Sequence, residues 1–146
     1  MSDTALASPI AARGIQRYAV PAGRALLALI FILSGPNHFS SETIGYAAHA
    51  GVPLPGFLVP AAGVLALVSG LSVALGYRAR LGALGLIAFL VPVTLVMHAF
   101  WAESDPMMHM MQRVNFLKNV GLLGGALLVS QFGAGPTSLD ARQGRS

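Results

Sequence analysis

Hydrophobic residues in this chain come in long runs, with polar positions confined to the gaps between them. From Ala19 to Gly35 the only charge is Arg24, from Gly56 to Gly76 there is none, and from Leu81 to Trp101 there is none. Each run approaches the roughly 20 helical residues that cross a hydrocarbon core about 30 Å thick. A fourth run, Val114 to Phe132, carries Asn115, Lys118 and Asn119 in its first two turns, so its apolar centre is Val120 to Ser130. The pattern predicts helices over about 19–36, 56–76, 81–101 and 114–132. Pro36, Pro53 and Pro55 bracket the first connection, Gly76 to Arg80 forms a tight second one, and the third, Ala102 to Arg113, is acidic and methionine-rich. The predicted fold is all-α: an integral membrane, antiparallel four-transmembrane-helix bundle over residues 18–133. Disordered tails are expected at 1–17 and 134–146.

Small residues at four-residue spacing let helix backbones approach closely in lipid, where the hydrophobic effect gives no drive to associate. Ala62, Ala66, Gly70 and Ala74 form such a stripe on the second helix, and Gly121 with Gly125 on the fourth. Packing within the chain is the expected use, with a homo-oligomer interface as the alternative. Pro92 predicts a kink in the third helix.

Composition supports the bilayer as solvent. The chain is 55% hydrophobic and 10% charged, against about 25% charged in an ordinary soluble domain. Cysteine is absent, which excludes disulfides, thiol relays, thiolate metal sites, iron–sulfur clusters and covalently attached c-type haem. The net charge of +4 is not a nucleic-acid signal, because the basic residues sit beside apolar runs and form no cluster. Seven of the 9 basic residues (Arg13, Arg17, Arg24, Arg78, Arg80, Arg142, Arg145) fall on one side of the predicted helices. Lys and Arg are retained in the cytoplasm, so both termini are expected there, with Arg24 snorkelling back to the headgroups. The triplet Ala48-His49-Ala50 resembles a signal-peptide cleavage site but lies too far beyond the first apolar run.

That orientation gathers Asn37, His38, His98, Trp101, Asn115, Lys118 and Asn119 at the outer end of the helices. Asn115, Lys118 and Asn119 share one helix face, and a lysine one turn inside a membrane helix needs a partner or a route to the headgroups. A polar pocket in the outer leaflet is the functional reading, with Glu42 as a weak counter-charge. Two histidines are too few for a zinc site, and the haem-clamp reading of His38 with His98 is disfavoured by their interfacial position. Met107, Met108, Met110 and Met111 resemble a soft-metal site but read better as an amphipathic stretch on the membrane surface. No metal is therefore expected. The inner halves of the helices lack the polar groups of a transport path.

The ordered set Gly23-Arg24-Ala25-Leu26-Leu27, Ser34-Gly35, Asn37-His38-Phe39 and Gly51-Val52-Pro53-Leu54-Pro55 resembles the DoxX family of small four-helix bacterial membrane proteins. So do Gly70, Gly76 before Arg78 and Arg80, His98-Ala99-Phe100-Trp101, and Asn115-Phe116-Leu117-Lys118-Asn119 before Gly124-Gly125. The resemblance covers about residues 19 to 132 and departs at His38, where a lysine is more usual. It implies an inner (plasma) membrane location and an association with oxidoreductases. The expectation is a multi-pass protein that binds a quinone-like ligand or serves as membrane subunit for an oxidoreductase partner. His98 and Lys118 would hydrogen-bond a quinone carbonyl, Asn115 and Asn119 would orient them, and Trp101 would stack on the ring. No covalent cofactor is expected, so electrons would come from a partner. A non-catalytic scaffold or lipid-interaction protein is the alternative.

Overall fold

The structure, a computed structural model, describes residues 9–144, with side-chain surroundings from residue 18 onward. It is helical, with no strand among the described residues: α1 (Pro9–Ser34), a 3₁₀ turn (Gly35–Phe39), α2 (Ser41–His49), α3 (Pro55–Leu75), α4 (Ala79–Met97), a second 3₁₀ turn (Phe100–Ala102), α5 (Pro106–Phe132) and a short α6 (Leu139–Arg142). Three spans are long and apolar enough to cross a membrane: Tyr18–Phe39, Pro55–Leu75 and Ala79–Ala102. At 27 residues, or roughly 40 Å at 1.5 Å per residue, α5 has the length. Gln112, Arg113, Asn115, Lys118 and Asn119 interrupt its first half, however, and the expectation of four spans narrows to three on composition.

The buried faces combine small and polar residues with a few large apolar ones, such as Leu86 and Leu90 of α4, and most of the large apolar side chains turn outward. In α1 the buried face reads Arg24, Ala28, Phe31; in α3 it reads Val59, Gly63, Ala66, Gly70, Val73. Leu26, Leu33, Val68, Leu71, Leu95 and Phe132 are exposed. A soluble domain would hide them. Here close backbone approach holds the interior and lipid covers the outside.

Neighbouring helices run antiparallel. Along α1 and α3, Arg24 lies beside Gly76, Phe31 beside Gly70 and His38 beside Gly63. Along α3 and α4, Ser72 meets Gly82 and Ser69 meets Gly85; α4 and α5 pair at His98 with Gln112 and at Arg80 with Gly133. A smaller contact returns α5 to α1, where Leu27 approaches Gly125. A methyl at Gly82 would stand 2.5 Å from Ser72 Oγ and 3.0 Å from the Ser69 carbonyl, so α3 and α4 touch almost backbone to backbone. The molecule thus has a basic end, with Arg24, Arg78 and Arg80, and a histidine end, with His38 and His98.

The basic end differs from expectation. Arg24 is buried, at 4% exposure, and does not snorkel. Its Nη1 donates to the Ala134 carbonyl, and its Nη2 donates to the Thr137 carbonyl at 2.9 Å. Residues 134–144 are therefore not a free tail: they fold back over this end and carry α6. Asp140 is buried there, and its carboxylate accepts the backbone N–H groups of Arg78 at 2.7 Å and Ala79 at 2.9 Å. Those donors are exposed by the tight α3–α4 turn, in which Gly76 and Arg78 both take left-handed backbone angles. A carboxylate at a helix N-terminus also meets the positive end of its dipole. Of the predicted N-terminal tail, residues 9–17 belong to α1, while residues 1–8 lie outside the described residues, as does Arg145.

Candidate functional site

Between α1, α3, α4 and α5 at the histidine end, roofed by α2, lies a cavity of about 740 Å³. Pockets for small ligands run from about 300 to 1,000 Å³ and combine an apolar wall with a few placed polar groups. This one fits that description. Ile30, Phe31, Leu65, Phe89, Leu90, Val93 and Leu122 supply apolar wall, and His38, Tyr46, His98, Lys118 and Asn119 are its main polar lining.

His38 is fixed by its own turn. Ser34 ends α1, the 3₁₀ turn carries the chain across α3, and His38 Nδ1 lies 3.3 Å from the Ser34 carbonyl. Its ring meets Phe89 edge-on with centroids 5.5 Å apart, and Phe89 in turn meets Phe31 at 6.0 Å. Gly63 makes this possible, because a Cβ there would stand 2.5 Å from that of His38.

His98 sits where α4 ends, and Gln112 receives it. The Gln112 side chain, buried at 6% exposure, accepts from His98 Nδ1 at 2.8 Å through Oε1 and donates through Nε2 to the Tyr46 hydroxyl at 2.6 Å. One amide so ties α4, α5 and α2 together. Gln112 can do this because α5 begins at Pro106, capped by Asp105, whose carboxylate accepts Met108 N–H at 2.8 Å. The predicted start at 114 missed two turns. The signal was present as Asp105-Pro106, an N-cap residue before a proline at the first helical position. Begun there, the helix places Gln112 seven residues before Asn119 on the same face. Tyr46 was missed for a similar reason: α2 is started by Ser40, whose Oγ accepts Thr43 N–H at 3.2 Å.

The remaining predicted residues divide. Asn119 lines the cavity, is 7% exposed, and has no hydrogen-bond partner for its carboxamide among the described residues. Lys118 reaches the lining but is exposed and donates to Asn115 Oδ1 at 3.0 Å. Asn115 and Asn37 are not in the wall. Nor is Trp101, which is 58% exposed and packs on Phe100 and Phe116 at 5.1 and 5.8 Å. The phenyl rings in the wall are those of Phe31 and Phe89. Of the packing residues, Ala66 is fully buried, Ala62 lies against the core, Gly70 touches Phe31 and Gly125 meets Leu27. Gly121 faces open space with nothing within 4 Å, so the predicted contact there is corrected. No group of three or more His, Asp or Glu residues able to hold a metal occurs among the described residues.

The DoxX family model matches residues 19–99, from the first turns of the α1 span to just beyond His98. The chain belongs to the DoxX family. Among DoxX-type relatives, inner membrane protein YphA of Escherichia coli (strain K12) is 30% identical over 121 residues, covering 82% of this chain and 86% of the relative. Inner membrane protein YqjF of the same organism is 29% identical over 119 residues, covering 80% and 85%. No solved structure matches. This DoxX protein is a multi-pass protein of the inner membrane. The family match ends before α5, so Gln112, Lys118 and Asn119 lie beyond it.

Proposed function

We propose that this DoxX protein binds a quinone-like hydrophobic ligand in the cavity at its histidine end, either for its own use or as the membrane subunit of an oxidoreductase system. The observation that carries the reading is the 740 Å³ apolar cavity with His38, His98 and Asn119 placed in its wall. Phe31 and Phe89 offer ring faces and edges to a planar ligand. The proposed topology has all four long helices crossing the bilayer, both termini in the cytoplasm and the cavity in the outer half. Arg24, Arg78 and Arg80 at one end, and Glu103 and Asp105 beyond the other, support that orientation.

The test is saturable binding of a decyl-substituted benzoquinol, kept reduced with dithionite, to the protein in nanodiscs, measured against empty nanodiscs. The wild type is expected to bind. A His98→Ala, Lys118→Ala double variant should bind at least tenfold more weakly, and Ala62→Phe, which fills the wall, should abolish binding. Unchanged affinity in both variants would remove the proposal.

The second reading, a non-catalytic lipid-interaction protein, is favoured by one observation: Lys118 is exposed and, among the described residues, held only by Asn115, as a headgroup contact would be. Under it, Lys118→Met weakens association with anionic lipid while His98→Ala has no effect.

A further inference from the structure

Both histidines of the cavity use the same ring nitrogen for the protein. His38 Nδ1 faces the Ser34 carbonyl, which can only accept, and His98 Nδ1 faces Gln112 Oε1, which also accepts. A neutral imidazole carries a single N–H. In each ring that proton is therefore on Nδ1, and Nε2, the nitrogen left for anything in the cavity, is a lone pair. In the structure Gln112 takes this sense, with its Nε2 donating to the Tyr46 hydroxyl oxygen, which leaves the Tyr46 O–H free to donate. A hydroxyl accepts and donates alike, so the firmer of the two assignments is His38, whose partner is a backbone carbonyl. Asn119, nine-tenths buried and without a partner among the described residues, adds an amide that both donates and accepts. Lys118 is the cationic donor of the lining, but it is exposed and engaged with Asn115.

We infer that the cavity selects a ligand whose polar head is a hydroxyl on an aromatic ring, a phenol or hydroquinone, over the same ring carrying only carbonyl or ether oxygens. The inference rests on the reading of the cavity as a hydrophobic ring site and names which form of the ring it holds. A hydroxyl donates to an imidazole Nε2 while its oxygen accepts from the Tyr46 hydroxyl. A quinone carbonyl or an aryl ether sets lone pair against lone pair at both histidines, and a buried acceptor left unmet is costly. Gln112 is the positioning residue, because it holds His98 Nδ1 and the Tyr46 hydroxyl without needing to touch the ligand.

A redox-inert pair isolates the effect. 4-Nonylphenol and its O-methyl ether differ by one methyl group, and simple partitioning favours the ether. Saturable binding of both, and of decyl-benzoquinone, is measured at pH 8 on protein in nanodiscs, with empty nanodiscs subtracted. The phenol is expected to bind about tenfold more tightly than the ether, the difference one charge-free hydrogen bond makes in a buried site. Gln112→Leu should reduce that ratio part of the way, since an unheld His98 can present either tautomer while His38 stays held, and a His38→Phe, His98→Phe double variant should bring it to within about twofold. A purely structural role for Gln112 would weaken all three probes alike and leave the ratio unchanged. If the quinone and the ether bind as tightly as the phenol, the selectivity is wrong while the ring site stands. If none of the three binds above empty nanodiscs, the ring site itself fails and the selectivity with it.

Discussion

Arg24 and Asp140 are 116 positions apart in the chain and meet at one end of the molecule. Neither forms an ordinary surface contact: the arginine grips two carbonyls of the returning C-terminal segment, and the aspartate supplies the acceptor that the first turn of α4 lacks. Asp140→Asn keeps the size of the side chain but removes its charge and one of its two acceptors. It is expected to cost about 1–3 kcal/mol, the penalty for an unmet buried group, seen as a lower unfolding midpoint in detergent. Arg24→Met should lower the midpoint as well, and combining the two should cost less than their sum, because both act on the same segment. The charge of Arg24 was legible in the sequence, but its partners were not. Backbone carbonyls carry no signature, and a segment of small and polar residues such as Gly133-Ala134-Gly135-Pro136 resembles a tail until an anchor is known. His98 and Asn119 were legible at the other end because polar residues are rare in apolar runs. Gln112 and Tyr46 were not, since they lie in stretches where polarity is unremarkable.

At the level of elements, the apolar runs gave α3 nearly to its ends and α4 to within about a turn, but missed the start of α1, which begins at Pro9. They gave α5 poorly, because its first two turns are set by capping chemistry and hydrophobicity says little there. Small residues were less informative than their spacing suggested. Gly63, outside the stripe read from the sequence, is where α3 admits His38, whereas Gly121, inside one, touches nothing. Two substitutions separate these cases. Gly121→Ala should leave stability unchanged or raise it by up to about 1 kcal/mol, through the better helix propensity of alanine. Gly63→Val should push the 3₁₀ turn off α3, lowering the unfolding midpoint and, with His38 displaced, the affinity of the cavity for its ring ligand. Equal behaviour of the two variants in thermal unfolding would contradict the packing described for α3.

The molecule as a whole turns most of its large apolar side chains outward, and packs glycines, serines and an arginine beside a small apolar core that includes Leu86 and Leu90. The proposed topology makes a direct prediction, and the absence of cysteine makes it simple to test. Cysteine placed at Ser146 should react only with reagents that reach the cytoplasm, and cysteine at Ser104 with impermeant reagents added outside intact cells. Labelling of both from one side would show that α5 does not cross. The grip of Arg24 on residues 134 and 137 has a further consequence in time. The arginine enters the membrane with the first helix, while the carbonyls that receive it are more than a hundred residues from being made. Until then α1 holds a guanidinium without its final partners, and a segment made long after the helix is the one that releases it from that state. A chain cut short at residue 133 should contain every long helix and still be recognised by the cell's proteases as unfinished, measured as a shortened half-life beside the full-length protein.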